Sequence, residues 1–232
     1  MKAKILIITP VDHIQGLVSK LNSFADVTFK DDPSREEVLS IIEKFDAIFT
    51  NPNKSKIFLD KEIIDAAIDL KVICTASTGT NHIDIEYVKS RGIKIISLTD
   101  EREAINKISS TAEHAFALTL SSLRHVVNSF KNVLEGEWDY EKYIGRQMNG
   151  LTIGVVGFGR LGSMYSDFCL AFGSRVLIYD PYKSVSDDKF EKVDLKRILY
   201  ESDIISLHVH VNEETMNMVN MNWFNSMKSE VL

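Results

Sequence analysis

Cysteine is scarce in this chain: there are two in 232 residues, and neither Cys74 nor Cys169 has a partner at metal-ligand spacing. Both fall in apolar stretches, so two reduced, buried thiols in a cytoplasmic protein are expected, with no disulfide scaffold and no metal. Basic runs are missing too. With 27 Lys and Arg against 33 Asp and Glu the formal charge is −6, which argues against a nucleic-acid groove. No long apolar run exists: Ile5-Leu6-Ile7-Ile8 is too short for a signal peptide or a membrane span and reads as a first strand. Internal repeats and low-complexity segments are also absent.

What the chain does have is apolar bulk and periodicity. At 44% hydrophobic residues over 232 positions it can bury the core of one large or two modest domains. Strand signals at 4–9, 47–50, 72–75 and 93–97 alternate with helical ones, and Ser34 to Glu37 has capping-box spacing ahead of Val38, Leu39, Ile41 and Ile42. Such alternation predicts a mostly parallel sheet with helices on both faces. Next, Ser110-Thr111-Ala112-Glu113 has capping-box form, and Phe116, Leu120, Leu123, Val127, Phe130 and Leu134 recur at steps of four and three. One amphipathic helix over 111–134, about 36 Å long, is predicted, either spanning a core or bridging two domains as a hinge. Residues 135–149 are polar but carry Trp138, Tyr140, Tyr143 and Ile144, to be packed on a partner subunit or on the chain itself.

The most informative stretch is Thr152 to Asp180. A short β-branched strand, Thr152-Ile153-Gly154-Val155-Val156, runs into Gly157-Phe158-Gly159-Arg160-Leu161-Gly162. Met164, Phe168, Ala171 and Phe172 then repeat at helical spacing, and a second strand ends at Asp180. Strand, glycine turn, helix, strand and terminal acid in that order fit a dinucleotide site better than a structural glycine turn. Gly157 permits the tight turn, Gly159 admits the pyrophosphate, and Gly162 lets the helix lie close. The N–H groups of Arg160 and Leu161 then face the anion at the positive end of the helix. Asp180 is assigned to the adenosine ribose hydroxyls, favouring NAD over NADP, with Lys183 nearby weakening that preference.

Further stretches carry a family likeness: Ser77-Thr78-Gly79-Thr80-Asn81-His82-Ile83-Asp84, Ser110-Thr111-Ala112-Glu113-His114, Ala171-Phe172-Gly173, Tyr179-Asp180-Pro181-Tyr182, Ser202 to His208 with Glu214-Thr215, and Phe224 to Lys228. Taken in order, they resemble the D-isomer-specific 2-hydroxyacid dehydrogenases. The resemblance implies an α/β chain with a flavodoxin-like substrate domain over 1–100 and a Rossmann-type, doubly wound NAD-binding domain over 101–232 that opens with the long linking helix and lacks its C-terminal part. It implies that backbone amides of Thr78 and Gly79 hold a substrate carboxylate. Thr78 would also approach the nicotinamide, with Val209 and Thr215 touching NAD. Residues 51–54 are placed at the cleft, and a homodimer acting on a small 2-hydroxy or 2-oxo acid is implied. His210 stands where the family usually has proline, which would stiffen that loop.

Hydride transfer in this family uses an arginine, a histidine and a glutamate. All three follow the stretch that matches Phe224 to Lys228, so no catalytic residue is assigned. Among the six histidines only His208, at a predicted strand end, is placed to substitute, while His82 and His114 are expected to be structural. The chain is therefore expected to be part of a longer enzyme, with negligible turnover alone and with Ser229 to Leu232 opening another strand. The rivals are an NAD-gated binding protein of the co-repressor type and an inactive truncated product.

Overall fold

The structure is a computed structural model describing residues 2–52, 54–185 and 188–232. It divides into two compact units, Met1–Ile105 and Asn106–Leu232. In the first, β1 (Ala3–Ile7), β2 (Ala25–Phe29), β3 (Ala47–Thr50), β4 (Val72–Thr75) and β5 (Lys94–Ile96) form one parallel sheet in the order β2-β1-β3-β4-β5. This flavodoxin-like order reverses the winding between β1 and β3. The crossovers contain α1 (Leu17–Asn22), α2 (Arg35–Ile41), α3 (Lys61–Ala66) and α4 (Ile85–Ser90). Leu6, Ile8, Ile48 and Ile73 pack with Val38, Ile63 and Val88, all fully buried, each side chain contributing about 1.5–3 kcal/mol.

Capping fixes where these helices start. The Ser34 hydroxyl accepts from Glu37 N at 3.2 Å and the Glu37 carboxylate accepts from Ser34 N at 2.9 Å, which is the capping box expected there. Asp60 and Asp84 cap α3 and α4 one way only, their carboxylates accepting from Ile63 N and Tyr87 N. Residue 53, within the 51–54 stretch assigned to the cleft, lies outside the described residues. Cys74 departs from expectation: both cysteines are free, but only Cys169 is buried, while Cys74 is half-buried because β4 has one less covered face.

After the linking α5 (Arg102–Asn106), the second unit comprises α6 (Ser110–Leu123), α7 (Val126–Leu134), β6 (Thr152–Val156), α8 (Arg160–Ala171), β7 (Arg175–Tyr179), β8 (Glu191–Lys192), α9 (Leu195–Glu201), β9 (Ile204–Leu207) and α10 (Met221–Ser226). Its sheet is parallel in the order β8-β7-β6-β9, the arrangement of a dinucleotide-binding half-sheet. One face buries Ile153, Val155, Val176 and Ile178 against Tyr165, Cys169 and Leu123; the other packs Val156 and Leu177 on Ile198, Leu199 and Trp223.

Three expectations need correction. The single helix over 111–134 is two helices, because His125 takes a left-handed backbone, φ 54°, and the Leu123 carbonyl accepts from Arg146 N at 3.1 Å rather than from within the helix. The capping box at Ser110 does not form: Ser110 is already helical. Ser109 precedes it at φ −99°, ψ −13°, too helical for its hydroxyl to reach the helix N–H groups, and it donates to the Glu113 carboxylate instead. Finally, the Leu232 carbonyl accepts from Ile205 N of β9 at 2.9 Å and its N–H donates to the Asp203 carbonyl at 3.1 Å, but residues 229–232 form no strand.

Asp203 ties the start of β6 into this unit. Its carboxylate accepts from Thr152 N at 2.8 Å, from Lys228 at 3.1 Å and from Arg146 at 3.2 Å. Burial pushes its pKa up, but those donors outweigh it and hold the carboxyl below the ordinary 3.8. Its contribution is therefore whole above that ordinary value and lost as the pH falls through the folded-state value. Asp203→Asn is expected to lower stability near neutral pH by about 1–2 kcal/mol and to flatten the acid limb, as read by urea denaturation across the acid range.

Candidate functional site

The glycine turn is built at the carboxyl end of β6. Gly157 has φ 92°, and its N–H donates to the Tyr179 carbonyl at 2.8 Å, locking the turn to β7. A Cβ at Gly157 would stand 2.6 Å from the His208 carbonyl oxygen and 3.0 Å from Val209 Cγ1, so the segment that follows β9 closes over the turn. At Gly162 a Cβ would meet the Gly157 carbonyl oxygen at 2.0 Å, which is the close helix approach expected of that position.

Gly159 differs: a Cβ there would meet nothing within 4 Å, so open space lies beside the turn. Gly159 is the N-cap of α8 and makes no side-chain cap bond, and among the described residues no acceptor takes the N–H of Gly159, Arg160, Leu161 or Gly162. Unpaired N–H groups at the positive end of a twelve-residue helix favour an anion by about 0.3–2 kcal/mol from the dipole alone. The Arg160 side chain does not join them; its guanidinium donates to the Ile108 carbonyl.

Asp180 is 8% exposed and faces the turn. One oxygen accepts from Phe158 N at 2.8 Å; the other accepts from Tyr182 N and Lys183 N, both at 2.9 Å. Burial raises its pKa, yet these three N–H groups and the Lys183 charge outweigh that and keep it ionised below the usual carboxylate range. With three of about four acceptor positions taken, room is left for about one further hydrogen bond from a ligand, not a two-oxygen grip. The bonds to Tyr182 and Lys183 are those of an Asx turn, legible in Asp-Pro-Tyr-Lys; the bond to Phe158 had no sequence signal.

Val209 is brought to the turn, its Cγ1 3.0 Å from where a Cβ at Gly157 would stand. The Thr215 hydroxyl donates to the His210 carbonyl and accepts from Asn212 N at 2.9 Å, closing a local turn. His208 has partners of its own: Nε2 lies 2.9 Å from the Ser206 hydroxyl, its ring packs tilted against Tyr165 with centroids 4.9 Å apart, and burial pushes its pKa down. Both contacts hold the imidazole within the second unit's packing. Thr78 and Gly79 belong to the first unit, in the loop after β4, where no described residue accepts from their N–H groups. Among the described residues no cluster of His, Cys, Asp and Glu could hold a metal ion, and no helix is long and apolar enough to cross a membrane.

Comparison with known proteins gives this geometry a context. D-3-phosphoglycerate dehydrogenase of Archaeoglobus fulgidus is 34% identical over 234 residues, covering 99% of this chain and 42% of that protein. Hydroxypyruvate reductase of Thermotoga maritima is 33% identical, covering 85% of this chain and 62% of its own. The chain thus spans about half the length of the curated relatives it matches. The crystal structure of Aquifex aeolicus D-lactate dehydrogenase complexed with NAD and lactic acid superposes with a TM-score of 0.84 at 28% identity, over 97% of this chain and 66% of that one. Residues 116–232, the stretch that holds the glycine turn, Asp180 and β9, match the family described as D-isomer specific 2-hydroxyacid dehydrogenase, NAD binding domain. The chain belongs to the D-isomer specific 2-hydroxyacid dehydrogenase family, and its C-terminal half is that family's NAD-binding domain.

Proposed function

We propose that these 232 residues serve an NAD-dependent oxidoreductase of D-2-hydroxy and 2-oxo acids, holding the cofactor and the substrate carboxylate. The observation that carries the reading is the run of unpaired N–H groups from Gly159 to Gly162, open on the Gly159 side and flanked by Asp180. In this reading, residues 1–100 are the substrate domain and 101–232 the nucleotide domain. NAD, when bound, supplies or accepts the hydride. The chain's own groups bind and orient: Gly159, Arg160 and Leu161 N–H hold the diphosphate, Asp180 and Val209 border the adenosine, and Thr78 and Gly79 N–H take the carboxylate.

An NADH fluorescence titration tests this. Saturable binding is expected, weakened about tenfold or more by Asp180→Ala, which removes the ribose acceptor and frees the Phe158 N–H. Glyoxylate, pyruvate and hydroxypyruvate are expected to give no turnover with this chain alone; NADH oxidation above background would refute that.

The same reading includes a homodimer built on α7 and the segment after it. Val126, Val127, Phe130, Val133 and Leu134 are more than half exposed, and Trp138, Tyr140 and Ile144 are at least 72% exposed. An apolar surface of that extent is typical of a subunit contact. In the first unit the exposed large apolar residues, Ile14, Phe24, Phe58 and Ile68, fall on separate segments, so the NAD-gated co-repressor reading gains no groove there. Two free cysteines suit a cytoplasmic setting.

A further inference from the structure

Behind the Thr78–Gly79 loop runs a chain of polar side chains to which the proposed function gives no role. Thr75 and His82 are 2% and 7% exposed. Thr75 Oγ1 lies 2.8 Å from Ser77 Oγ and 3.2 Å from His82 Nε2, and Ser77 Oγ lies 2.6 Å from the Gly79 carbonyl oxygen. The backbone around the chain is anchored: Ala76 N donates to Thr50 O, Leu98 N to Ser77 O and Leu59 N to His82 O, at 2.9 to 3.1 Å.

Counting protons gives the chain a direction. A carbonyl only accepts, so the single Ser77 hydroxyl proton goes to Gly79. Ser77 must then accept from Thr75, whose own single proton is thereby used. Thr75 can meet His82 only as an acceptor, so the imidazole carries its proton on Nε2. Nδ1 is left as the bare nitrogen, and it is buried with no partner among the described residues. Burial also pushes the His82 pKa down, which keeps the ring neutral.

The end of the chain matters for binding. The Gly79 carbonyl and the Thr80 N–H share one planar trans peptide and point in opposite directions. Pinning that carbonyl to Ser77 therefore turns the Thr80 N–H away from the relay; among the described residues neither it nor the N–H groups of Thr78 and Gly79 has an acceptor. Successive N–H groups of this kind make an anion-binding concavity.

We propose that His82, Thr75 and Ser77 form a one-way hydrogen-bond relay that aims the N–H groups of Thr78, Gly79 and Thr80 as a three-donor cradle for a carboxylate. The three side chains are positioning residues, and the proposal rests on the reading that Thr78 and Gly79 hold the substrate carboxylate. It adds the Thr80 N–H and the residues that hold the loop.

Two spectra on the intact chain test it. Long-range 15N–1H correlation of the imidazole is expected to show His82 neutral with its proton on Nε2; an Nδ1–H ring or an imidazolium near neutral pH overturns the relay. Titration with oxalate, followed through the amide resonances, is expected to move Thr78, Gly79 and Thr80 together. Ser77→Ala should weaken that response about tenfold, the loss of one hydrogen bond's aim at an anion, and Ser77→Thr should restore it. A wild-type response that Ser77→Ala leaves intact overturns the relay alone. No response from the wild-type amides overturns the carboxylate reading together with this proposal, while NADH binding at the second unit still stands or falls separately.

Discussion

Gly162→Ala is expected to bind NADH about a hundredfold more weakly than the parent chain, or worse, and to melt at a lower temperature. The added methyl would sit 2.0 Å from the Gly157 carbonyl oxygen, 3.2 Å from its carbon and 3.3 Å from His208 Cβ. Backbone atoms cannot rotate aside, so either α8 retreats or the Gly157 peptide turns. Retreat of α8 strains the bond between the Tyr165 hydroxyl and Thr119, 2.7 Å, in a side chain that is fully buried. Turning the peptide misdirects the N–H groups that follow.

Overpacking costs about 1–3 kcal/mol, and each misaimed donor to an anion about 1.5–3 kcal/mol. Losing one or two donors amounts to two orders of magnitude in affinity or more. Gly159→Ala separates binding from folding, because its methyl meets no protein atom within 4 Å. That variant should keep its melting temperature while losing affinity, since the methyl fills the space beside the N–H groups. Fluorescence titration and thermal melts on both variants decide the matter: wild-type affinity in Gly162→Ala, or equal destabilisation of the two, sinks the account.

These effects explain why the site was so legible in the sequence. A glycine demanded by backbone contact is visible as a residue type, and the flanking β6, α8 and β7 each carry one strong periodicity, so Gly157, Gly162 and Asp180 could be placed from spacing alone. What escaped were groups whose role depends on where a backbone atom ends up. The Phe158 N–H takes one oxygen of Asp180, and the His208 carbonyl backs Gly157, neither with any mark in the residue types. Ser77 and His82 of the relay lie within a stretch that resembles the family, with Thr75 just ahead of it, yet the order of the relay came from distances of 2.6 to 3.2 Å. In the fold, β2 went unread because Asp26 and Thr28 interrupt its apolar residues, as suits an edge strand bonded only to β1. The longest misreading, the continuous helix over 111–134, had a different cause: apolar steps of four and three persist through a break that is imposed from outside the helix.

That outside cause is Gly145, and it gives the other large expected effect. A Cβ at position 145 would stand 2.0 Å from the Leu123 carbonyl oxygen and 3.1 Å from Arg124 Cα. Only glycine lets this segment reach the end of α6, where Arg146 N takes the Leu123 carbonyl at 3.1 Å and so denies it to Val127 N, its ordinary helical donor. The bond offsets the left-handed backbone of His125, a conformation that costs a non-glycine residue about 1–2 kcal/mol.

Gly145→Ala forces the two segments apart, and the expected loss is about 2–4 kcal/mol from overpacking and the broken bond together. For a chain of this size that is a fall of roughly 5–15 °C in melting temperature. Released from Arg146, the Leu123 carbonyl is free to accept from Val127, and His125 can relax to a helical backbone, so α6 and α7 should join and helical ellipticity should rise in the folded state even as stability drops. Amide exchange reads this directly, with protection lost at Arg146 and gained at Val127. His125→Gly should act in the opposite sense, raising stability by about 1 kcal/mol by removing the left-handed penalty while the break persists. If Gly145→Ala kept both its melting temperature and the protection of Arg146, the break would have to be written into residues 123–126 themselves rather than imposed by the segment that packs on them.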